Sequence, residues 1–281
     1  MVMSATGQVA IVVSDLSNPF FSEAIHHLHT ALKEADLRAV VHTDLPDDPI
    51  SLTHLLDGLV DGAILTSTSL DSSLPRDLAA RGLPVVQLNR TAFGEAADAC
   101  VSDQEMGARD VATLLADLNH RRIGAIFGPP GTSTGQAREA GFRMGLAERS
   151  LELPDERVRY GPFTTDSGEE NLRTLMSAEP APTAVFCAND VIAVGALNAA
   201  RELGIAVPQR LTVIGFDDIA LASWKVFQLT TVRQDLAGMC RASVKLLRER
   251  IADPELPLRR IGLGVKLVLR ESHAAPPDDA D

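Results

Sequence analysis

Polar residues close a series of short apolar runs along the chain: Ser14-Asp15, Thr66-Ser67, Asn89-Arg90, Asp103, Thr134, Asn189-Asp190 and Asp217-Asp218. Asp, Asn, Ser, Thr and Arg together donate and accept hydrogen bonds in fixed directions, as a polyhydroxylated ligand requires. Phe20-Phe21, Phe163 and Trp224 stand in adjoining segments, where aromatic rings can wall or stack on a sugar. Any one of these phenylalanines fits a core staple equally well. Aromatics are only 4% of the chain, so their position beside the polar runs is what counts. No pair in the set stands out as acid and base, or as nucleophile and base. The pattern reads as recognition, not catalysis.

Other motifs carry less. Gly131–Gly135 (GTSTG) matches the GxSxG nucleophile elbow, with Ser133 as nucleophile. An elbow sets its serine directly between strand and helix, whereas Gly128-Pro129-Pro130 intervenes here, and no partner base is identifiable. The better reading is a loop whose backbone N–H groups and hydroxyls point into a cleft. Gly262 and Gly264 begin a GxGxxG, but Leu267 takes the last glycine position, and no GxxxxGK[ST] occurs. Dinucleotide and P-loop sites are therefore not expected. His26, His27 and His29 lack HExxH spacing and a nearby cysteine, so they read as a solvated helix face and no metal is expected. Cys100, Cys187 and Cys240 are odd in number and far apart, which argues against a disulfide framework and fits a reducing cytosol.

These residues need elements to hold them. β-Branched runs such as Val9–Val13, Gly62–Thr66, Pro84–Leu88, Ile123–Phe127, Ala184–Cys187 and Thr212–Gly215 read as buried parallel strands. Amphipathic stretches such as Pro19–Ala35, Asp103–Leu118, Ala137–Glu148, Asp190–Leu203 and Gln234–Ala252 alternate with them as helices. Asn18 before Pro19, and Asn189 before Asp190, supply helix starts. Strand–helix alternation with short loops predicts an α/β doubly wound architecture, and about eleven strands call for two sheets. The polar ends listed first then fall at the carboxyl ends of the strands, where open α/β sheets bind ligands. The formal charge is −12, from 26 basic and 38 acidic residues, which excludes a protein that coats nucleic acid. No apolar run approaches the ~18–20 residues of a membrane span, and Met1–Val13 has no basic leader. Ala274–Asp281 (AAPPDDAD) reads as a disordered tail.

Seven blocks then share one pattern: DLSNPFFSEA (Asp15–Ala24), VDGAIL (Val60–Leu65), NHRRIGAIFGPPGTSTGQAREAGFR (Asn119–Arg143), PTAVFCAND (Pro182–Asp190), VPQRLTVIGFDDI (Val207–Ile219), LTTVRQD (Leu229–Asp235) and LVLRES (Leu267–Ser272). In order and at family spacing, they resemble the effector-binding core of LacI/GalR-family bacterial transcriptional regulators, from Gln8 to about Ser272. The resemblance implies the periplasmic-binding-protein type I fold: two similar doubly wound parallel-sheet lobes joined by three crossover segments, near 118–122, 231–235 and 261–265. Lobe one would be 7–119 plus 235–261, lobe two 120–234 plus 262–273, with 274–281 as the tail.

The same resemblance assigns ligand contacts residue by residue. Phe20 and Phe21 would wall the first lobe, beside Asp15 and Ser67. Asn89 stands where the family usually has an aspartate, which leaves the hydroxyl pattern or charge of the ligand open. Arg138, with Thr134 one turn before it, would point its guanidinium at the ligand, Phe163 would cover it, and Asn189, Asp217 and Gln234 would bond hydroxyls. An arginine fork beside an aspartate suits a sugar or sugar-like metabolite. The implied protein is a cytoplasmic homodimeric repressor core, not an enzyme, without cofactor. Its operator contacts would lie in a helix-turn-helix headpiece that this chain, starting with MVMSATG, lacks. The rival reading is a sugar-binding receptor of an ABC transporter, which shares the fold; a hydrolase using Ser133 is the second.

Overall fold

The protein is described by a computed structural model covering residues 6–44, 55–94 and 96–277. The chain divides into two compact units. The first takes residues 1–102, 131–133 and 235–264, and the second takes 103–130, 134–234 and 265–281.

In the first unit, β1 (Gln8–Val13), β2 (Arg38–Thr43), β3 (Gly62–Leu65), β4 (Val85–Leu88), β5 (Asp98–Ser102) and β11 (Arg260–Leu263) form one parallel sheet, in the order β11-β5-β4-β3-β1-β2. β3 and β4 are buried along their whole length, and their residues are apolar except for the buried Gln87. Helix α1 (Pro19–Glu34) starts as its sequence dictates: Asn18 accepts from the Phe20 N–H at 3.1 Å, and Pro19 opens the first turn. Phe20, Phe21, Ala24, Leu28, Ala31 and Leu32 then bury one face. A short helix α2 (Leu74–Ala79) precedes β4.

The second unit holds a four-stranded parallel sheet, β7-β6-β8-β9, made from β6 (Ile123–Phe127), β7 (Val158–Tyr160), β8 (Ala184–Cys187) and β9 (Thr212–Ile214). β10 (Thr231–Gln234) and β12 (Val265–Val268) form an antiparallel pair. Its helices are α3 (Gln104–Asp117), α4 (Ser133–Glu148), α5 (Thr165–Met176) and α6 (Asp190–Glu202); α7 (Leu236–Ala252) returns to the first unit and packs on α1 and on β3–β5. Phe127, Phe142 and Phe186 meet at ring distances of 4.6–6.2 Å in the centre of the second core.

The α/β reading with two parallel sheets holds, and several details differ from expectation. The boundary drawn after residue 119 falls at 102/103, because α3 packs with β10, β12 and α4 of the second unit. β11 was not foreseen as a strand: its residues alternate between exposed and half-buried and include Gly262, so no apolar run marks it. Helix α4 begins at Ser133, so three of the five residues of GTSTG are helical, not loop. The tail is tied down through Ala274, whose carbonyl accepts from His120 Nε2 at 2.9 Å and whose N–H donates to Thr212 Oγ1 at 3.0 Å; residues 278–281 lie outside the described residues. Among the described residues no helix is long and apolar enough to cross a membrane.

One charge network ties β5, β11 and α7 together. Asp98 is fully buried and takes both oxygens to Arg250 at 3.0–3.2 Å, with Arg259 supplying its backbone N–H at 2.8 Å and its guanidinium at 3.2 Å. Burial alone would raise the Asp98 pKa, but the hydrogen bonds from Arg250 and Arg259 outweigh it and hold the carboxyl below its usual range. A carboxylate whose pKa is depressed by folding stabilises the fold above its unfolded value of about 3.9, and that contribution disappears as pH falls through the folded value. Asp98→Ala leaves two guanidiniums without their shared partner and should cost about 3–5 kcal/mol in urea unfolding at pH 7. The difference between wild type and Asp98→Asn should shrink as the same titration is repeated toward pH 3; a constant difference would contradict the assignment.

Candidate functional site

In each unit the polar residues collect at the carboxyl ends of neighbouring strands. On the first unit, Asp15 follows β1, Ser67 follows β3 and Asn89 follows β4, and these three strands are adjacent. Asp15 is held in a tight turn by Ser17, whose N–H and hydroxyl reach its Oδ1 at 2.8 and 2.6 Å. Asn89 is buried at φ 69°, a left-handed conformation that asparagine tolerates better than most residues, and its N–H bonds the Cys100 carbonyl at 2.9 Å. Phe20 and Phe21 open α1, buried and edge-to-face at 5.5 Å, and the Arg90 guanidinium lies 5.7 Å from the Phe21 ring. Ser133 also belongs to this unit. Its hydroxyl accepts the Thr91 N–H at 3.0 Å, a structural bond in place of the activated nucleophile that an elbow would require.

The second unit carries the denser chemistry. Arg138, 3% exposed, sits in the second turn of α4. Its Nε donates to Gln104 Oε1 at 2.7 Å, one Nη to the Ala188 carbonyl, and the other to Asp217 Oδ1 at 2.8 Å. Gln104 Nε2 passes on to Gln234 Oε1 at 2.9 Å, and Gln234 Nε2 returns to the same Asp217 oxygen at 2.7 Å. Four side chains from α3, α4, β10 and the loop after β9 thus close a ring of hydrogen bonds. The guanidinium also lies over the Phe216 ring, 3.8 Å from its centre. Burial lowers the pKa of Arg138 and the Asp217 charge pulls it back up; an arginine remains a cation at neutral pH.

Local sequence explains how the ring is assembled. Gly141, three residues after Arg138, lies where a Cβ would strike the Glu105 backbone, so only glycine lets α4 meet the start of α3 and bring Gln104 to the guanidinium. Asp217 and Asp218 have φ values of 115° and 58°, costly conformations of about 1–3 kcal/mol each that concentrate at functional sites. Asp218 is anchored there by Arg233 and Arg270 at 2.5 and 2.6 Å. Asp190 is wholly buried and accepts from Thr231 Oγ1 and the Ile219 N–H. Burial above all, then the Asp217 charge, pushes its carboxyl well above the usual range. Phe163, half-buried, rests against Gly128 so closely that a Cβ there would occupy the ring's space. Thr134 is buried in the first turn of α4.

The expected set is therefore placed as follows. Thr134, Arg138, Phe163, Asn189, Asp217 and Gln234 lie at the carboxyl end of the second sheet, and Asp15, Phe20, Phe21, Ser67 and Asn89 at that of the first. Asn189 caps α6 as its sequence position predicts, its Oδ1 accepting from the Ile192 N–H at 2.9 Å, and Asp103 also caps a helix, its Oδ1 accepting from the Met106 N–H at 3.0 Å. Asn189 keeps its amide N–H groups for other partners. Gln104 and Phe216 were missed. The only signal for either was position, one residue past a strand-end Asp and inside the GFDD run. His26 and His27 pack ring edge to ring at 5.5 Å, and among the described residues no group of three His, Cys, Asp or Glu is placed to hold a metal.

Volume points elsewhere. A cavity of about 760 Å³ in the second unit is lined by Leu197, Arg201, Lys225, Phe227, Gln228 and His273 among others, and includes none of the ring. A cavity needs only missing atoms, whereas a buried charge held by three oriented partners needs a reason; the chemistry favours the ring. Asp217→Ala, which strands the buried guanidinium, should destabilise the protein by about 3–5 kcal/mol. Gln104→Ala, which leaves the charge pair intact, should cost about 1–3 kcal/mol. Urea unfolding of both variants checks the order; equal losses would mean that the pair carries no special weight.

Comparison with known proteins shows the family. Residues 112–273 match the family described as periplasmic binding protein-like domain. The HTH-type transcriptional repressor PurR of Yersinia enterocolitica is 30% identical over 277 residues, 97% of this chain and 81% of the relative. The ribose operon repressor of Haemophilus influenzae is 30% identical over 271 residues, 95% of this chain and 81% of the relative. Among solved structures, the transcriptional regulator CelR in complex with cellobiose is 31% identical with a TM-score of 0.87, over 97% of this chain and 86% of the other. A LacI family regulator from Enterococcus faecium with bound ribose is 26% identical with a TM-score of 0.85, over 95% and 99%.

Proposed function

The chain belongs to the LacI family of transcriptional regulators, as its periplasmic-binding-protein-like effector-binding core, and we propose that it senses a small hydroxylated metabolite, a sugar or sugar derivative, through Arg138 and Asp217. The ring of Arg138, Gln104, Gln234 and Asp217 is the observation that carries this reading. Three of the five guanidinium N–H groups are committed to the protein, which fixes the plane of the fork and leaves two donors in a defined direction. A carboxylate beside those donors accepts from a hydroxyl that itself accepts from the arginine, so adjacent hydroxyls on one molecule satisfy both. The solved structures of similar regulators with cellobiose and with bound ribose support a sugar.

Asn189 would add amide donors and Phe163 and Thr134 the flanking surface. Asp15, Ser67, Asn89, Phe20 and Phe21 are the corresponding contacts proposed on the first unit. The chain works by binding, with no catalytic step and no cofactor. A soluble cytoplasmic location suits a repressor of transcription. With a charge of −12, operator contact is assigned to a helix-turn-helix headpiece and not to these lobes. A second copy of the chain is the expected partner.

An effector acts here only through its differential affinity for the operator-competent state. Calorimetric titration with ribose, cellobiose and related sugars and polyols should reveal at least one binder. Arg138→Lys keeps the charge but loses the fork, and should weaken that binder by at least tenfold. Affinity unchanged in Arg138→Lys would remove Arg138 from the site.

A further inference from the structure

We propose that the effector is an uncharged molecule, and that Asp217 is the residue that excludes acids and phosphates from the Arg138 site; this rests on the effector-binding role argued above. The ring contains one cation and one anion, 2.8 Å apart, both almost wholly removed from solvent. Arg138 is thus already neutralised before any ligand arrives. A ligand carboxylate or phosphate that reached its two remaining N–H groups would stand within a few ångströms of the Asp217 carboxylate, in surroundings that screen poorly. It would meet repulsion as strong as the attraction it gained. A ligand ammonium would be drawn to Asp217 and repelled by Arg138 in the same way.

A hydroxyl has no such conflict, because it accepts from the arginine while donating to the aspartate. The neighbouring groups do not reverse the balance. Asp218 is committed to Arg233 and Arg270, of which Arg233 is more than half exposed and screened by water. Asp190 lies fully buried, with burial and then the Asp217 charge pushing its carboxyl well above the usual range, and its oxygens are engaged by Thr231 and the Ile219 N–H. The Asp217 position is also rigid: Gln234 and Arg138 share its Oδ1, and its backbone sits at φ 115°. It cannot simply swing aside to admit an anion.

The test uses ligand pairs that differ in charge: glucuronamide against glucuronate, which share one shape, and ribose against ribose 5-phosphate and cellobiose against cellobionate, which also differ in size or ring form. Each is titrated calorimetrically into the whole chain at pH 7.5, and into Asp217→Asn. That variant keeps an oxygen for Arg138 and Gln234 but removes the charge. In wild type the uncharged member of any binding pair should win by at least a hundredfold. In Asp217→Asn the ratio should fall by tenfold or more, a change that mere steric rejection of the larger group would not produce. The proposal is overturned if a charged member binds as tightly as its neutral partner, or if a folded Asp217→Asn keeps the full discrimination. Should Asp217→Asn fail to fold, the wild-type ratios alone decide. If no member of any pair binds, the effector role itself fails, not the charge rule.

Discussion

A guanidinium buried to 3% exposure sets the terms for the second unit. A charge taken out of water is tolerated only when paired and hydrogen-bonded, and Arg138 obtains this from Gln104, the Ala188 carbonyl and Asp217. Those partners come from α3, the end of β8 and the loop after β9, so satisfying one side chain fixes three elements relative to α4. Gln234 closes the circuit and adds β10. The glycine contact at Gly141 and the unusual backbone at Asp217 are tolerated because they complete this arrangement.

Much of the fold was legible because parallel strands are buried on both faces and must be continuously apolar. Ile123–Phe127 and Ala184–Cys187 fall where the sequence places them, to the residue. Helix starts at Asn18 and Asn189 were readable for a similar reason, since an unsatisfied N-terminal turn demands a side-chain acceptor. β11 escaped because a half-exposed strand with glycine has no apolar signature. The division at 102/103 escaped because it depends on which sheet α3 packs against, which no local pattern encodes.

The site divides along the same line. Asp217 stands out as a polar residue at a strand end, the family resemblance adds Arg138 and Gln234, and the three do converge. Gln104 and Gln234 are 130 positions apart, so their bond could not be inferred from spacing. Phe216 reads as one more apolar residue until its ring is seen beneath the guanidinium. The charge of −12 first argued only against nucleic acid; within the ring the local balance is one cation to one anion, a quantity the composition hides.

The most direct measurement is a crystal structure of the chain grown with ribose or cellobiose. The account predicts sugar hydroxyls within hydrogen-bonding distance of both the Arg138 guanidinium and the Asp217 carboxylate, with Gln104 and Gln234 still bridging them. Sugar bound instead in the 760 Å³ cavity beside Arg201, Lys225 and His273, with the ring untouched, would contradict it.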